Sequence, residues 1–160
     1  MAATPPLCPR CRADLQPVDL KGVAVNACPS CHGTRLAGAR LASALEAMSA
    51  ELLQTFDPDT KLARSAGAEG RLACAECGRE MARDDYCGAG LAHFDRCEPC
   101  ALVWVDAEAL GTMTLMWARM EARRSRETAT TRRLLDEADD LIVRTLVGRA
   151  VQRALFRGLS

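Results

Sequence analysis

Aromatic residues are few in this chain: two Trp, one Tyr and three Phe among 160 residues. Single-stranded nucleic acid is gripped by stacking bases on such rings, so stacking platforms are scarce here. Net charge is also missing, since 21 basic residues balance 21 acidic ones. The molecule as a whole therefore has no field that would draw a polyanion. No run reaches the roughly 18 uncharged apolar residues of a membrane span, and no membrane association is expected. The opening Met-Ala-Ala-Thr-Pro-Pro has neither the basic nor the apolar stretch of an export signal, so a cytoplasmic location is expected.

Cysteine, by contrast, is abundant. Eight of the nine cysteines fall into four Cys-x-x-Cys pairs, arranged as two copies of one pattern. Copy one has Cys8-Pro-Arg-Cys11 and Cys28-Pro-Ser-Cys31; copy two has Cys74-Ala-Glu-Cys77 and Cys97-Glu-Pro-Cys100. The first knuckles lie 66 residues apart and the second knuckles 69, so three extra residues sit in the second spacer. Four thiolates repel one another unless a cation holds them, and four soft sulfurs suit a closed tetrahedral zinc site. Two structural zinc ions per chain are expected, with Cys8, Cys11, Cys28 and Cys31 on one and Cys74, Cys77, Cys97 and Cys100 on the other. An iron site of rubredoxin type uses the same ligands. No βαβ context favours thioredoxin-like redox chemistry.

Cys28-Pro-Ser-Cys31-His32 also matches the pattern of covalent haem attachment. Haem attachment of that kind goes with export, and Cys8 and Cys11 complete a metal site without it. His32 is therefore expected just beyond the knuckle, on the surface, and His93 as a hairpin side chain. Cys87 is left over, an unliganded thiol at a hairpin tip.

Between the knuckles lie hairpins. Leu15, Val18 and Leu20 precede the turn Lys21-Gly22, and Val23 and Val25 follow it. The second spacer turns at Cys87-Gly88-Ala89-Gly90. Such ribbons bury little apolar area, so ion binding must supply most of their stability. A helix is expected from about 37 to 56, with Leu41, Leu45, Met48 and Leu52 on one face and Asp57-Pro58 as the stop. In copy two, Asp106 is the expected N-cap of a helix over 107–124. Apolar residues including Leu134, Leu135, Leu141, Ile142 and Leu146 place a last amphipathic helix over about 129–157.

The expected class is a small metal-stabilised α+β fold: two four-cysteine zinc ribbons, each followed by a helix, and a C-terminal helical hairpin. The expected division is a first ribbon with its helix over 1–56, a linker over 57–71, a second ribbon with its helix over 72–124, and an amphipathic helix over 125–160. Each quartet is complete within its repeat, so Cys31→Ser or Cys97→Ser is expected to unfold its own module alone.

The segments after the second knuckles carry a further signature. Copy two reads Cys97-Glu-Pro-Cys100-Ala-Leu-Val-Trp104-Val-Asp106-Ala-Glu-Ala-Leu110. Copy one reads Cys28-Pro-Ser-Cys31-His-Gly33-Thr-Arg35-Leu36-Ala-Gly-Ala-Arg-Leu41. Both resemble the bacterial transcription factor zinc-finger family of TFIIB-type zinc ribbons. Its pattern is a Cys-Pro-x-Cys knuckle, a hairpin, then Cys-Pro-x-Cys-x-Gly-x-Trp-Leu-Asp and a helix. Copy two keeps Trp104 and Asp106 but lacks the glycine; copy one keeps Gly33 but has Arg35 for Trp and Ala37 for Asp. The resemblance covers about residues 6–50 and 72–113 and implies zinc ribbons in tandem.

No nucleophile and base stand together, and a site whose four positions are all cysteine leaves none for water or substrate. The expected role is non-enzymatic: a protein-interaction or regulatory module with a protein partner, in which the C-terminal helices dock or form a homodimer. The alternative is nucleic-acid binding through Arg119, Arg123, Arg124, Arg126, Arg132 and Arg133. This segment has six arginines against two glutamates, a net of +4. Asp136, Glu137, Asp139 and Asp140 follow at once and oppose it.

Overall fold

The structure, a computed structural model, describes residues 5–52, 61, 62, 64, 65 and 70–156, with the side chains of all but Glu51 and residues 142–156. Two units divide the chain, Met1–Met120 and Glu121–Ser160.

In the first unit, Lys21 and Gly22 both adopt left-handed backbone (φ 53° and 91°). That geometry makes the tight turn between β1 (Gln16–Leu20) and β2 (Val23–Ala27), with Leu20 opposite Val23. The second hairpin joins β4 (Ala82–Asp85) to β5 (His93–Cys97) through a short 3-10 turn, Tyr86–Gly88. The three extra residues of copy two are accommodated at this hairpin tip, where Tyr86 N–H still reaches Ala92 C=O at 2.9 Å.

Each copy adds a third strand after its second knuckle: β3 (Thr34–Ala37) and β6 (Leu102–Val105). The sequence predicts helix from residue 37. Ala37 is instead the last residue of β3, a 3-10 turn spans Gly38–Arg40, and helix α1 occupies Leu41–Leu52. The helical positions expected at 53–56 lie outside the described residues.

All six strands form one antiparallel sheet in the order β1-β2-β3-β6-β5-β4. The seam at its centre is β3 against β6, with Thr34 opposite Val105, Arg35 opposite Trp104, Leu36 opposite Val103 and Ala37 opposite Leu102. The two ribbons, expected as separate modules, thus complete each other's edges, and Gly38 N–H adds a 2.8 Å bond to Ala101 C=O across the seam. Of the stretch expected as a linker, Ser65 is buried, and both its N–H and its Oγ donate to Leu91 C=O (2.8 and 3.0 Å).

The alternation of the strands sends side chains to two faces. One face carries Val23, Val25, Leu36, Val103 and Val105 against Ala44 and Leu45 of α1 and Ala109, Leu110 and Met113 of helix α2 (Ala107–Phe156). The other carries Leu15, Met81 and Trp104 among the knuckle cysteines. Leu41 and Met48 pack at the edge of the helical face, as their spacing implies.

Helix α2 runs unbroken over Ala107–Phe156. The helical hairpin expected at the C-terminus is therefore corrected to one continuous helix. No glycine or proline stands between Thr112 and Val147, so nothing in this stretch breaks the backbone ladder. From Arg123 to Leu141 every residue is exposed.

Candidate metal centres

Each metal centre is assembled from two reverse turns. In every knuckle the residue directly after the second cysteine takes left-handed backbone: Arg12 (φ 64°), His32 (58°), Gly78 (71°) and Ala101 (51°). In three knuckles this turn brings an N–H back onto the first cysteine, whereas Ala101 N–H bonds Glu98 C=O at 3.1 Å. Arg12 N–H bonds Cys8 C=O at 3.0 Å, His32 N–H bonds Cys28 C=O at 3.0 Å and Gly78 N–H bonds Cys74 C=O at 2.8 Å. The sulfurs are met as well: Arg10 N–H lies 3.4 Å from Cys8 Sγ, and Cys31 N–H lies 3.4 Å from Cys28 Sγ.

The four sulfurs of Cys8, Cys11, Cys28 and Cys31 lie within 4.8 Å of one another, as do those of Cys74, Cys77, Cys97 and Cys100. Individual separations are 3.6 Å for Cys8–Cys31, 3.4 Å for Cys11–Cys28 and 3.5 Å for Cys77–Cys97. A disulfide would need about 2.05 Å. A tetrahedron with Zn–S of about 2.3 Å has edges of about 3.8 Å. The donor sets therefore fit a tetrahedral zinc ion at each site.

The thiols do not share one acidity. Burial pushes the Cys8 thiol up to about 12 despite the N–H groups of Cys11 and Arg10. Burial also acts against the Cys28 thiolate, but N–H groups of Cys31 and Ser30 and the sulfurs of Cys11 and Cys31 outweigh it and bring it down to about 6. At the second site the backbone N–H of Arg79 does most to bring Cys77 down to about 7. Cys100 is pushed up to about 12, chiefly by sharing a proton with Cys77. Four sulfurs held this close repel one another as thiolates, even though N–H groups favour the charged form at Cys28 and Cys77. A cation that neutralises four sulfurs together removes that repulsion, and binding it releases protons.

Residues 7–47 match the family model "Transcription factor zinc-finger", a TFIIB-type zinc ribbon. The second four-cysteine cluster fits a second copy of that ribbon, although the family model marks only the first. No curated protein and no solved structure matches the chain.

Around the zinc ribbons the other candidates fall into place. His32 is exposed and serves the left-handed turn. His93 begins β5 opposite Asp85, and Cys87 is exposed and lies outside both cysteine clusters. Of the arginines considered for nucleic acid, Arg123, Arg124, Arg126, Arg132 and Arg133 are exposed on α2, while Arg119 is half-buried and its Nε is buried without a hydrogen-bond partner. Arg124 pairs with Glu121 at 3.6 Å and Arg133 with Glu137 at 2.9 Å.

The pairings across the seam escaped the sequence reading. Arg10 Nη1 donates to Asp106 Oδ1 at 2.7 Å, and Arg35 Nη2 donates to Glu76 Oε1 at 2.5 Å. Each pair joins a knuckle of one ribbon to the third strand, or its end, of the other. Asp106, expected as the N-cap of α2, also accepts from Trp104 Nε1 at 3.4 Å with that same Oδ1. The signal was present in the opposite charges at the matched positions Arg10 and Glu76, 66 residues apart.

Proposed function

We propose that this protein is a non-enzymatic zinc-ribbon module that acts by binding a protein partner in a transcription-related setting. The observation that carries this is the make-up of the two centres. Both quartets consist wholly of cysteine, within 4.8 Å, so zinc held there has no position left for substrate or water and serves to build a surface. The family match points the same way, to a transcription-related or nucleic-acid-related role.

The surface for the partner is the exposed part of α2. Leu134 and Leu135 are 60% and 61% exposed there. Burying a fully exposed leucine is worth roughly 1.5–3 kcal/mol, and a partner that covers these two gains somewhat over half of that at each. A second copy of this chain is the partner to test first. Light scattering at micromolar concentration should give a dimer, and Leu134→Asp with Leu135→Asp should give a monomer that keeps its zinc. A wild-type monomer that captures no second copy would rule out self-association.

The exposed arginines of α2 among the described residues, Arg123, Arg124, Arg126, Arg132 and Arg133, favour a second reading, nucleic-acid binding along this helix. A mobility shift that weakens steeply with salt, and is lost when Arg123, Arg126 and Arg132 become Ala, would support it over the protein-binding reading. No shift at low salt would exclude it.

A further inference from the structure

The β3–β6 register contains a near-symmetry. Residues of the second ribbon that follow its second knuckle lie 69 positions beyond their counterparts in the first, so Arg35 corresponds to Trp104. Arg35 and Trp104 are also cross-strand partners, and each neighbouring pair is the mirror of another about them. A pseudo-twofold axis therefore passes between these two residues. The unit has the arrangement of a symmetric dimer of ribbons, made within one chain.

The two halves have diverged at the seam in complementary ways. Trp104 is 1% exposed and lies over Gly33, the residue just before β3 and diagonal to it across the seam. A Cβ at Gly33 would fall on Trp104 Cζ2 and stand 2.8 Å from Cε2 and Cη2, so only glycine admits this indole. The symmetric position has lost both partners: Arg35 stands for the tryptophan and Leu102 for the glycine. These two line a small cavity with Cys74 and Met81, and Arg35 turns to Glu76. Two first ribbons paired alike would set Arg35 against Arg35. Two second ribbons would drive Trp104 onto Leu102. Only the unlike pair satisfies every contact.

The seam also joins the metal centres. Cys8, Cys28, Cys74, Cys97 and Trp104 belong to one buried cluster. Cys97 pairs with Leu102 in the sheet, β6 holds Trp104 on Gly33, and Gly33 C=O accepts the Cys28 N–H at 2.9 Å. Loosening either site therefore disturbs the other.

We propose that the two zinc sites are coupled through the Trp104–Gly33 contact and are filled and emptied together. This rests on the zinc reading above and goes beyond it, because two independent ribbons would hold the same metal. The experiment is native mass spectrometry of the full chain during titration with a zinc chelator. Coupling in the usual range, about 5–150-fold, leaves fewer chains with one zinc at the midpoint than with two or none. Independent sites leave about half the chains with one zinc, and that result overturns the proposal. Gly33→Ala should release both ions at lower chelator. Adding Trp104→Phe, which removes the clashing ring atoms, should restore retention of both. Loss of only one ion from Gly33→Ala, with no recovery in the double variant, also overturns it. A chain that carries anything other than two zinc ions before chelator is added overturns the metal reading itself, and the coupling with it.

Discussion

Left-handed backbone directly after the second cysteine is common to all four knuckles, yet only Gly78 meets it with glycine. A side chain there costs roughly 1–2 kcal/mol, and the metal site holds the strain in place. Ala101 has no polar atom with which to offset it, so Ala101→Gly should raise the stability of the zinc-loaded protein by about 1 kcal/mol, read from its melting temperature. A fall would mean that the turn is unstrained. Seam residues differ widely in weight. Arg10 is paired at the surface, with its side chain 40% exposed, and Arg10→Ala should cost at most about 1 kcal/mol. Trp104 is among the largest fully buried side chains, and Trp104→Ala should cost about 3–5 kcal/mol. Equal effects from the two changes in chemical denaturation would contradict this ranking.

At the scale of elements, what was legible depended on range. The cysteine quartets could be read directly, because each knuckle is a local turn and a metal site demands a ligand count. The first hairpin was legible for the same reason, from Lys21-Gly22 between apolar runs. Strands β3 and β6 were not. Each is only four residues long, and each finds its partner across the seam, where Arg35 meets a residue as distant in the chain as Trp104 and no local pattern can register it. The continuity of α2 was hidden differently. Apolar periodicity fades between Arg124 and Ala129, which looks like an end, but fading periodicity marks only the loss of a buried face. The absence of glycine and proline was the better guide. Ser125→Pro tests this: a proline there breaks an interior ladder and costs about 3 kcal/mol. Helical circular dichroism should fall while zinc content stays at two per chain. An unchanged spectrum would restore the expected break.

For the molecule as a whole, sheet and metals need each other. The ribbons alone bury little, and each structural zinc contributes apparent binding energy on the order of 10–16 kcal/mol. Removing zinc with a chelator should therefore unfold the six-stranded sheet with the helices packed on it, seen as loss of cooperative thermal melting. Retention of a sharp transition would mean that the shared core suffices without metal. The most direct test of the metal account combines metal analysis with zinc-edge X-ray absorption on protein purified without added metal. Two zinc ions per chain, each with four sulfurs at about 2.3 Å and no nitrogen or oxygen ligand, are expected. One ion per chain, iron in place of zinc, or a mixed ligand shell would contradict it.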